Sequence, residues 1–212
     1  MPIPSKEAWY SALEQRHGRL LQQKFASAAV AVCGLGGLGS NIALSLARAG
    51  IGTLILIDFD KVDITNLHRQ QYKAVQIGRY KTDALTENLL EIAPYIKIRA
   101  HTEPLTAENY ERLLKGAHII CEAFDQAEAK AMLANHVLET MPDKYYIAAS
   151  GMAGMDSANL IQTKKITNRF YLCGDGVSDV ADSAALLSSR VMLCAAHQAH
   201  MVLRILAEQF EA

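Results

Sequence analysis

The chain has 212 residues, half of them hydrophobic and a fifth charged, and its 13 glycines and 5 prolines are too few for a collagen-like or low-complexity chain. Its 21 lysines and arginines nearly cancel 22 aspartates and glutamates, so no whole-molecule field gathers nucleic acid or an anionic membrane, and neither is expected as a partner. One α/β domain with an elaboration is expected at this length, large enough to bury a core.

Residues 6–25 read as a polar helical lead-in with apolar positions at Trp9, Leu13, Leu20 and Leu21. A short apolar run over 28–33 ends in glycines, and 40–49 has helical spacing closed by Gly50, so the segment reads strand, turn, helix. Residues 53–58 form a second buried strand, 79–92 a helix, 96–100 a third strand and 106–115 a helix. A fourth strand over 118–121, a helix over 126–139 and a fifth strand over 145–149 complete the alternation. Short apolar strands separated by helices imply a mostly parallel sheet flanked by helices. After Gly151 the pattern changes: 158–163 and 170–172 read as a short antiparallel extension, and 183–207 as a long final helix. With no internal repeat and no linker, a lead-in (6–25), a core (28–150) and an extension (151–212) belong to one domain.

The longest uncharged stretch near the end, Val191 to Leu203, carries His197, Gln198 and His200, and at 13 residues is too short and too polar to span a bilayer. The first residues lack the basic flank and apolar run of a secretion signal. Cys33, Cys121, Cys173 and Cys194 form no C-x-x-C pair, and two of them lie inside strand-like runs. Neither zinc nor a disulfide framework is expected, and a reducing cytoplasm fits these thiols.

Gly34, Gly36 and Gly39 satisfy G-x-G-x-x-G directly after a strand and at the opening of a helix. Gly34 permits the tight turn, Gly36 lets backbone approach a phosphate, and Gly39 lets helix pack on strand, while the free amides and the helix dipole favour anions. Asp58, 22 residues beyond Gly36, stands at the carboxyl end of the second strand, where an acid binds ribose hydroxyls. These features fit NAD, FAD, S-adenosylmethionine or ATP.

Three further features point away from a dinucleotide. Asp58 and Asp60 are followed by a polar segment in which Asn66 and Arg69, three apart, are aimed at one point by a single helical turn. Lys81 opens a helix just after Gly78, where its ammonium suits a triphosphate that a guanidinium can grip two oxygens at a time. Asp125 lies just past the fourth strand, where a carboxylate facing phosphates needs a cation between, making it a candidate magnesium ligand. Each has a plainer reading: Arg69 pairing with Asp60 or Asp63, Lys81 solvated at a helix start, and Asp125 capping a helix in a box with Glu128.

The run from Gly34, Gly36, Gly37 and Gly39 through Asp58 and Asp60 to Asn66, Arg69 and Gln70, then Gly78-x-x-Lys81 and Ala149-Ser-Gly151, resembles the ThiF/MoeB adenylyltransferases, relatives of the ubiquitin-activating enzymes, over roughly residues 28–165. The family's D-C-T-D-N segment falls on Cys121–Gln126 and puts its second aspartate at Asp125. The resemblance implies a Rossmann-like fold binding ATP and magnesium. Asp58 would hold the ribose, Gly36 and Gly37 the phosphates, Asn66, Arg69 and Lys81 the triphosphate, and Asp125 the metal. Arg69, Lys81 and Asp125 would thereby carry catalysis, with Gly34, Gly39, Asp60 and Gln70 completing the nucleotide site. The implied reaction is adenylation of the C-terminal glycine carboxylate of a small ubiquitin-like sulfur carrier in thiamine or thiazole biosynthesis, by a homodimer in which Arg16 or Arg19 reaches the partner's site.

Departures from the family are visible. Glu122 and Gln126 stand where Asp and Asn are usual, the C-x-x-C pairs of longer, zinc-binding members are missing, and of the remaining cysteines Cys194 reads as core and Cys173, beside Gly174, as a loop residue and reactive-cysteine candidate. The chain most resembles the short, zinc-free ThiF-like group. His197 and His200 share a helix face and read as packing or partner contacts rather than metal ligands, and the loop from Gly151 to Met155 as a soft rim beside the site. An NAD-dependent oxidoreductase, a tRNA-modifying dehydratase of the same superfamily and a non-catalytic nucleotide-binding adaptor are the alternatives.

Overall fold

A computed structural model describes residues 3–179, 181 and 185–212. Seven strands, β1 (Ala29–Cys33), β2 (Thr53–Ile57), β3 (Lys97–His101), β4 (Ile119–Glu122), β5 (Tyr145–Ala149), β6 (Gln162–Lys165) and β7 (Phe170–Gly174), form one sheet in the order β3-β2-β1-β4-β5-β7-β6. Every neighbouring pair is parallel except β6 against β7. The helices are α1 (Lys6–His17), α2 (Arg19–Ser27), α3 (Gly37–Arg48), α4 (Lys81–Ile92), α5 (Tyr110–Leu113), α6 (Ala127–Thr140) and α7 (Ser188–Leu206).

The period-two geometry of a strand sends alternate side chains to opposite faces. Val30, Val32, Leu54, Leu56, Ile119, Cys121 and Ile147 enter the core shared with α3, α4 and α7, while Ala31, Cys33, Ile55, Ile57, Ile120 and Tyr146 meet Leu113, Leu133 and Val137 of α5 and α6. Covering both faces is what a parallel sheet requires, and it explains why these strands read as unbroken apolar runs. Burying each such aliphatic side chain contributes about 1.5–3 kcal/mol.

The sheet follows the expected mostly parallel architecture, with local differences. The lead-in breaks at Gly18, whose φ of +83° is a left-handed conformation that ends α1 and starts α2, and Leu20 is left exposed. The predicted helix over 106–115 shrinks to one turn. Asn109 Oδ1 accepts from the Thr106 amide (2.8 Å) and its Nδ2 donates to Pro104 O (2.9 Å), so its side chain satisfies backbone groups that a helix would otherwise use. The expected short antiparallel extension forms as β6 against β7, and β7 joins β5 in parallel. The first residues of the predicted final helix, 183–184, lie outside the described residues, and α7 begins at Ser188.

From β1 the chain steps outward through β2 to β3, then returns to place β4 on the other side of β1. The carboxyl ends of β1 and β4 therefore diverge, and a crevice opens where open α/β sheets bind ligands.

Candidate functional site

A cleft of about 720 Å³ occupies that crevice. Its floor is the glycine turn. Gly34 has φ +89°, and a Cβ there would stand 2.8 Å from Ala123 O, so only glycine lets the turn lie against the end of β4. A Cβ on Gly39 would come 1.8 Å from Gly34 O, which is why helix α3 can start directly under the turn. No side chain caps α3, so the amides of its first turn, which have no intrahelical partner, face the cleft.

Asp58, 9% exposed, ends β2 beside this turn. Its Oδ2 accepts from the Leu35 amide (2.6 Å) and its Oδ1 from the Asp60 amide (2.7 Å), which aims the carboxylate into the cleft. Burial raises its pKa, against the opposing pull of the Lys81 ammonium and these two amides. Lys81 is 6% exposed rather than solvated; its Nζ lies 2.7 Å from Asp60 Oδ2 and 4.0 Å from Asp58 Oδ2.

Arg69 is set by the first turn of α3. Ser40 Oγ accepts from Gln71 N (3.1 Å), and Asn41 Nδ2 donates to Gly37 O (2.6 Å) and Arg69 O (3.3 Å), stapling the segment 69–71 onto the helix. The guanidinium donates to Thr65 O (3.3 Å) and lies 3.2 Å from His68 Nε2, and it pairs with no carboxylate among the described residues. The pairing with Asp60 or Asp63 is not formed: Asp60 holds Lys81 and Asp63 caps its own turn through Thr65. Asn66 and Arg69 do line the same cleft, as does Gln70, whose buried Oε1 has no hydrogen-bond partner.

Across the cleft, Asp125 is exposed, lines the wall and makes no hydrogen bond or ion pair among the described residues. The capping box is absent, because Gln126 occupies the cap of α6 and no side chain bonds to the helix there. Among the described residues no three His, Cys, Asp or Glu side chains cluster to hold a metal, so a cation here would take Asp125 together with ligand oxygens, a donor set that suits magnesium.

All the sequence-predicted nucleotide residues except Gly39 therefore line or floor one cleft, and Gly39 lies just beneath it. Cys173 does not reach it: it is fully buried in β7, and burial lifts its thiol to about 11, the opposite of an activated nucleophile. The loop reading fails because β7 runs one residue beyond it, to Gly174. Cys194 is core. His197 Nδ1 lies 3.0 Å from Thr163 Oγ1, a packing role. Arg16 and Arg19 are not among the residues around the cleft.

Sequence reasoning passed over Lys130, whose Nζ bonds both oxygens of buried Glu122 (2.9 and 3.1 Å) and Ala149 O (3.0 Å), tying the ends of β4, α6 and β5 together beneath Asp125. The signal was available, since an acid inside an apolar strand demands a cation nearby. The pairing of Asp175 with Arg190 was missed as well.

The fold and cleft define the class: a Rossmann-like α/β protein with a glycine turn at the start of a helix and an acid at the end of β2. Within that class the chain belongs to the ThiF family, whose model matches residues 10–210. It is similar to the adenylyltransferase and sulfurtransferase uba4 of Aspergillus terreus, 46% identical over 101 residues covering 44% of this chain and 21% of that protein. The protein of the same description from Pyricularia oryzae is 32% identical over 142 residues, covering 62% and 28%. The chain thus spans less than a third of the length of these relatives. Among solved structures it is similar to the E. coli tRNA N6-threonylcarbamoyladenosine dehydratase TcdA, with a TM-score of 0.85 and 20% identity over 98% of each chain. It also matches E. coli MccB, with a TM-score of 0.72 and 21% identity over 99% of this chain and 66% of that one. At these identities the likeness is one of fold.

Proposed function

We propose that the chain adenylates the C-terminal glycine carboxylate of a small ubiquitin-like sulfur carrier. A carboxylate oxygen attacks the α-phosphorus of ATP, the bond to the bridging oxygen breaks, and pyrophosphate leaves, giving an acyl-adenylate. The observation that carries this reading is the placement, across one cleft, of a guanidinium that meets no carboxylate and a carboxylate that meets no cation among the described residues. The diphosphate of a dinucleotide has about two charges, which the glycine turn can receive without either group, whereas a triphosphate carries further charge for the first and a bound cation for the second.

In this reading Asp58 accepts the ribose hydroxyls, the amides at Gly36 and Gly37 receive phosphate oxygens, and Asn66, Gln70, Arg69 and Lys81 align the triphosphate. Magnesium, held by Asp125, would neutralise charge on the departing pyrophosphate. The protein's contribution is alignment and charge neutralisation, with no side-chain nucleophile. The relatives named as adenylyltransferases and sulfurtransferases support the reaction class. Use in thiazole formation, in the cytoplasm, by a homodimer in which Arg16 or Arg19 completes the partner's site, follows from the resemblance to the short ThiF group. Four free, buried thiols suit a reducing compartment.

The test is ATP–pyrophosphate exchange with and without a ThiS-like carrier ending in Gly-Gly. Exchange that needs the carrier is expected, and Asp125→Ala should abolish it more completely than it weakens ATP binding. ATP binding without exchange would favour a non-catalytic adaptor, and preferential binding of NAD would favour an oxidoreductase.

A further inference from the structure

The cleft has two halves, and they are built differently. The nucleotide half rests on β1, β2 and α3. The opposite wall is made by the loops that follow β5 and β7, which bring Ser150, Gly151, Met152, Ala153 and Ser178 to the cleft. These loops interlock along their backbones: Ser150 N donates to Cys173 O (2.8 Å), Asp175 N to Gly151 O (3.0 Å) and Gly176 N to Ser150 O (3.0 Å). The fit leaves no room, since a Cβ on Gly151 would lie 2.0 Å from Asp175 Oδ1 and one on Gly174 would lie 1.9 Å from Ser150 O.

Into this joint the head of α7 inserts Arg190. Its side chain is 5% exposed and that of Asp175 3%. One end of the guanidinium pairs with Asp175 Oδ2, and the other donates to the carbonyls of Asp156 and Ser157 (3.0 Å to the latter). Asp175 Oδ1 accepts from the amides of Val177 (2.9 Å) and Ser178 (2.8 Å), and the Ser178 hydroxyl in turn accepts from Ala153 N (3.1 Å). A single buried fork therefore fixes three segments, and only a planar, multi-donor cation can do so. Burial disfavours the Asp175 carboxylate, but the Ser178 and Val177 amides, the Ser178 hydroxyl and Arg190 outweigh it and hold its pKa down to about 2, so the pair stays charged.

A buried ion pair is a poor source of net stability, because desolvation offsets most of its attraction; what it supplies is one defined geometry. Helix α7 does not depend on it, since Val191, Cys194, Ala195 and Val202 hold the helix in the core. We propose that Asp175 and Arg190 are positioning residues that set the wall on which the adenylyl acceptor, the carrier's C-terminal carboxylate, is presented, acting on the acceptor side of the reaction and not on nucleotide affinity. This rests on the adenylation reading above.

The test is Asp175→Asn, which keeps shape and an amide acceptor but removes the charge facing Arg190, with Arg190→Lys as the second variant should the first fail to fold. Three readouts are taken on the full chain: affinity for a fluorescent ATP analogue, carrier-dependent pyrophosphate exchange with the ThiS-like carrier, and amide hydrogen exchange. Expected are an ATP affinity within about twofold of wild type, an exchange rate at saturating ATP lowered at least tenfold, and faster hydrogen exchange confined to 150–157 and 174–178. A parallel loss of ATP affinity and exchange would overturn the proposal, as would unchanged hydrogen exchange in those loops. If wild type binds ATP but shows no pyrophosphate exchange, the adenylation reading fails on its own. Hydrogen exchange and ATP affinity in the variant then still decide whether the wall is held independently of the nucleotide half.

Discussion

Replacing Asp58 by Asn removes one charge while keeping the shape of the side chain, and the two hydrogen bonds it accepts make the effect calculable. Asn offers one carbonyl oxygen where Asp58 uses two, for the amides of Leu35 (2.6 Å) and Asp60 (2.7 Å). One backbone donor then faces an NH2 group, a loss of about 1–3 kcal/mol. Removing a carboxylate whose burial already raises its pKa returns part of this, so the net destabilisation should be about 1 kcal/mol, or about 2–4 °C in Tm. Binding should suffer more. Hydrogen bonds from ribose hydroxyls to an ionised acid contribute about 1.5–3 kcal/mol each, and losing one to two of them after the cost of desolvation leaves about 2 kcal/mol, or about 30-fold in Kd for ATP. The control is 2′,3′-dideoxy-ATP measured by calorimetry on both proteins. Wild type should prefer ATP by about 30-fold, and the variant should show nearly no preference. A variant that discriminates as well as wild type would refute the assignment of Asp58 to the ribose, whatever its affinity.

Arg69→Ala should weaken ATP by about tenfold or more while changing AMP affinity little, because its guanidinium pairs with no carboxylate among the described residues and its charge is available to the outer phosphates; equal losses for both nucleotides in calorimetric titrations would place it elsewhere. Asp175 gives a pH dependence of known sign. Its carboxyl titrates at about 2 against an ordinary 3.8, so its stabilisation of about 2 kcal/mol is complete above the ordinary value and is lost as pH falls through the folded one. The gap in urea-unfolding stability between wild type and Asp175→Asn should narrow by more than half between pH 5 and pH 2.5, and a gap independent of pH would contradict the ionised pair.

The parts of this molecule that were legible in its sequence are those governed by short-range rules. Four parallel strands, β1, β2, β4 and β5, announced themselves because a sheet covered on both faces must be apolar throughout, and the glycine turn because backbone approach to β4 and to α3 tolerates no Cβ. Asp58 and Asn66 were readable from spacing. What was not legible depends on partners distant in sequence. Lys81 looked free at a helix start, yet it is buried against Asp60, 21 residues away. Cys173 looked like a loop residue because glycines follow it, but it pairs with Ala149 of β5 and the strand runs on to Gly174, which leaves the thiol buried. Asp125 and Glu128 had the spacing of a capping box, but the chain enters α6 one residue later, at Gln126.

The burial of Lys81 sharpens the electrostatics of the whole cleft. Four cations line it: Lys61, Arg69, Lys81 and Lys130. Lys81 is matched by Asp60 and Asp58, Lys130 is matched by Glu122, and Lys61 lies over the Tyr80 ring, its Nζ 5.1 Å from the centroid. With two lysines spent on local acids, a triphosphate of about four negative charges, as proposed for this cleft, would not be neutralised by these side chains alone, and the shortfall would fall on Arg69, on Lys61, on the open amides of α3 and on a cation brought with the nucleotide. In the proposed reading that is the role of Asp125. A carboxylate placed without a partner on the wall facing the phosphates would repel them, and it becomes favourable only when a divalent ion stands between. In the proposed reading, the same side chain that would weaken binding of the bare nucleotide would strengthen binding of its magnesium complex.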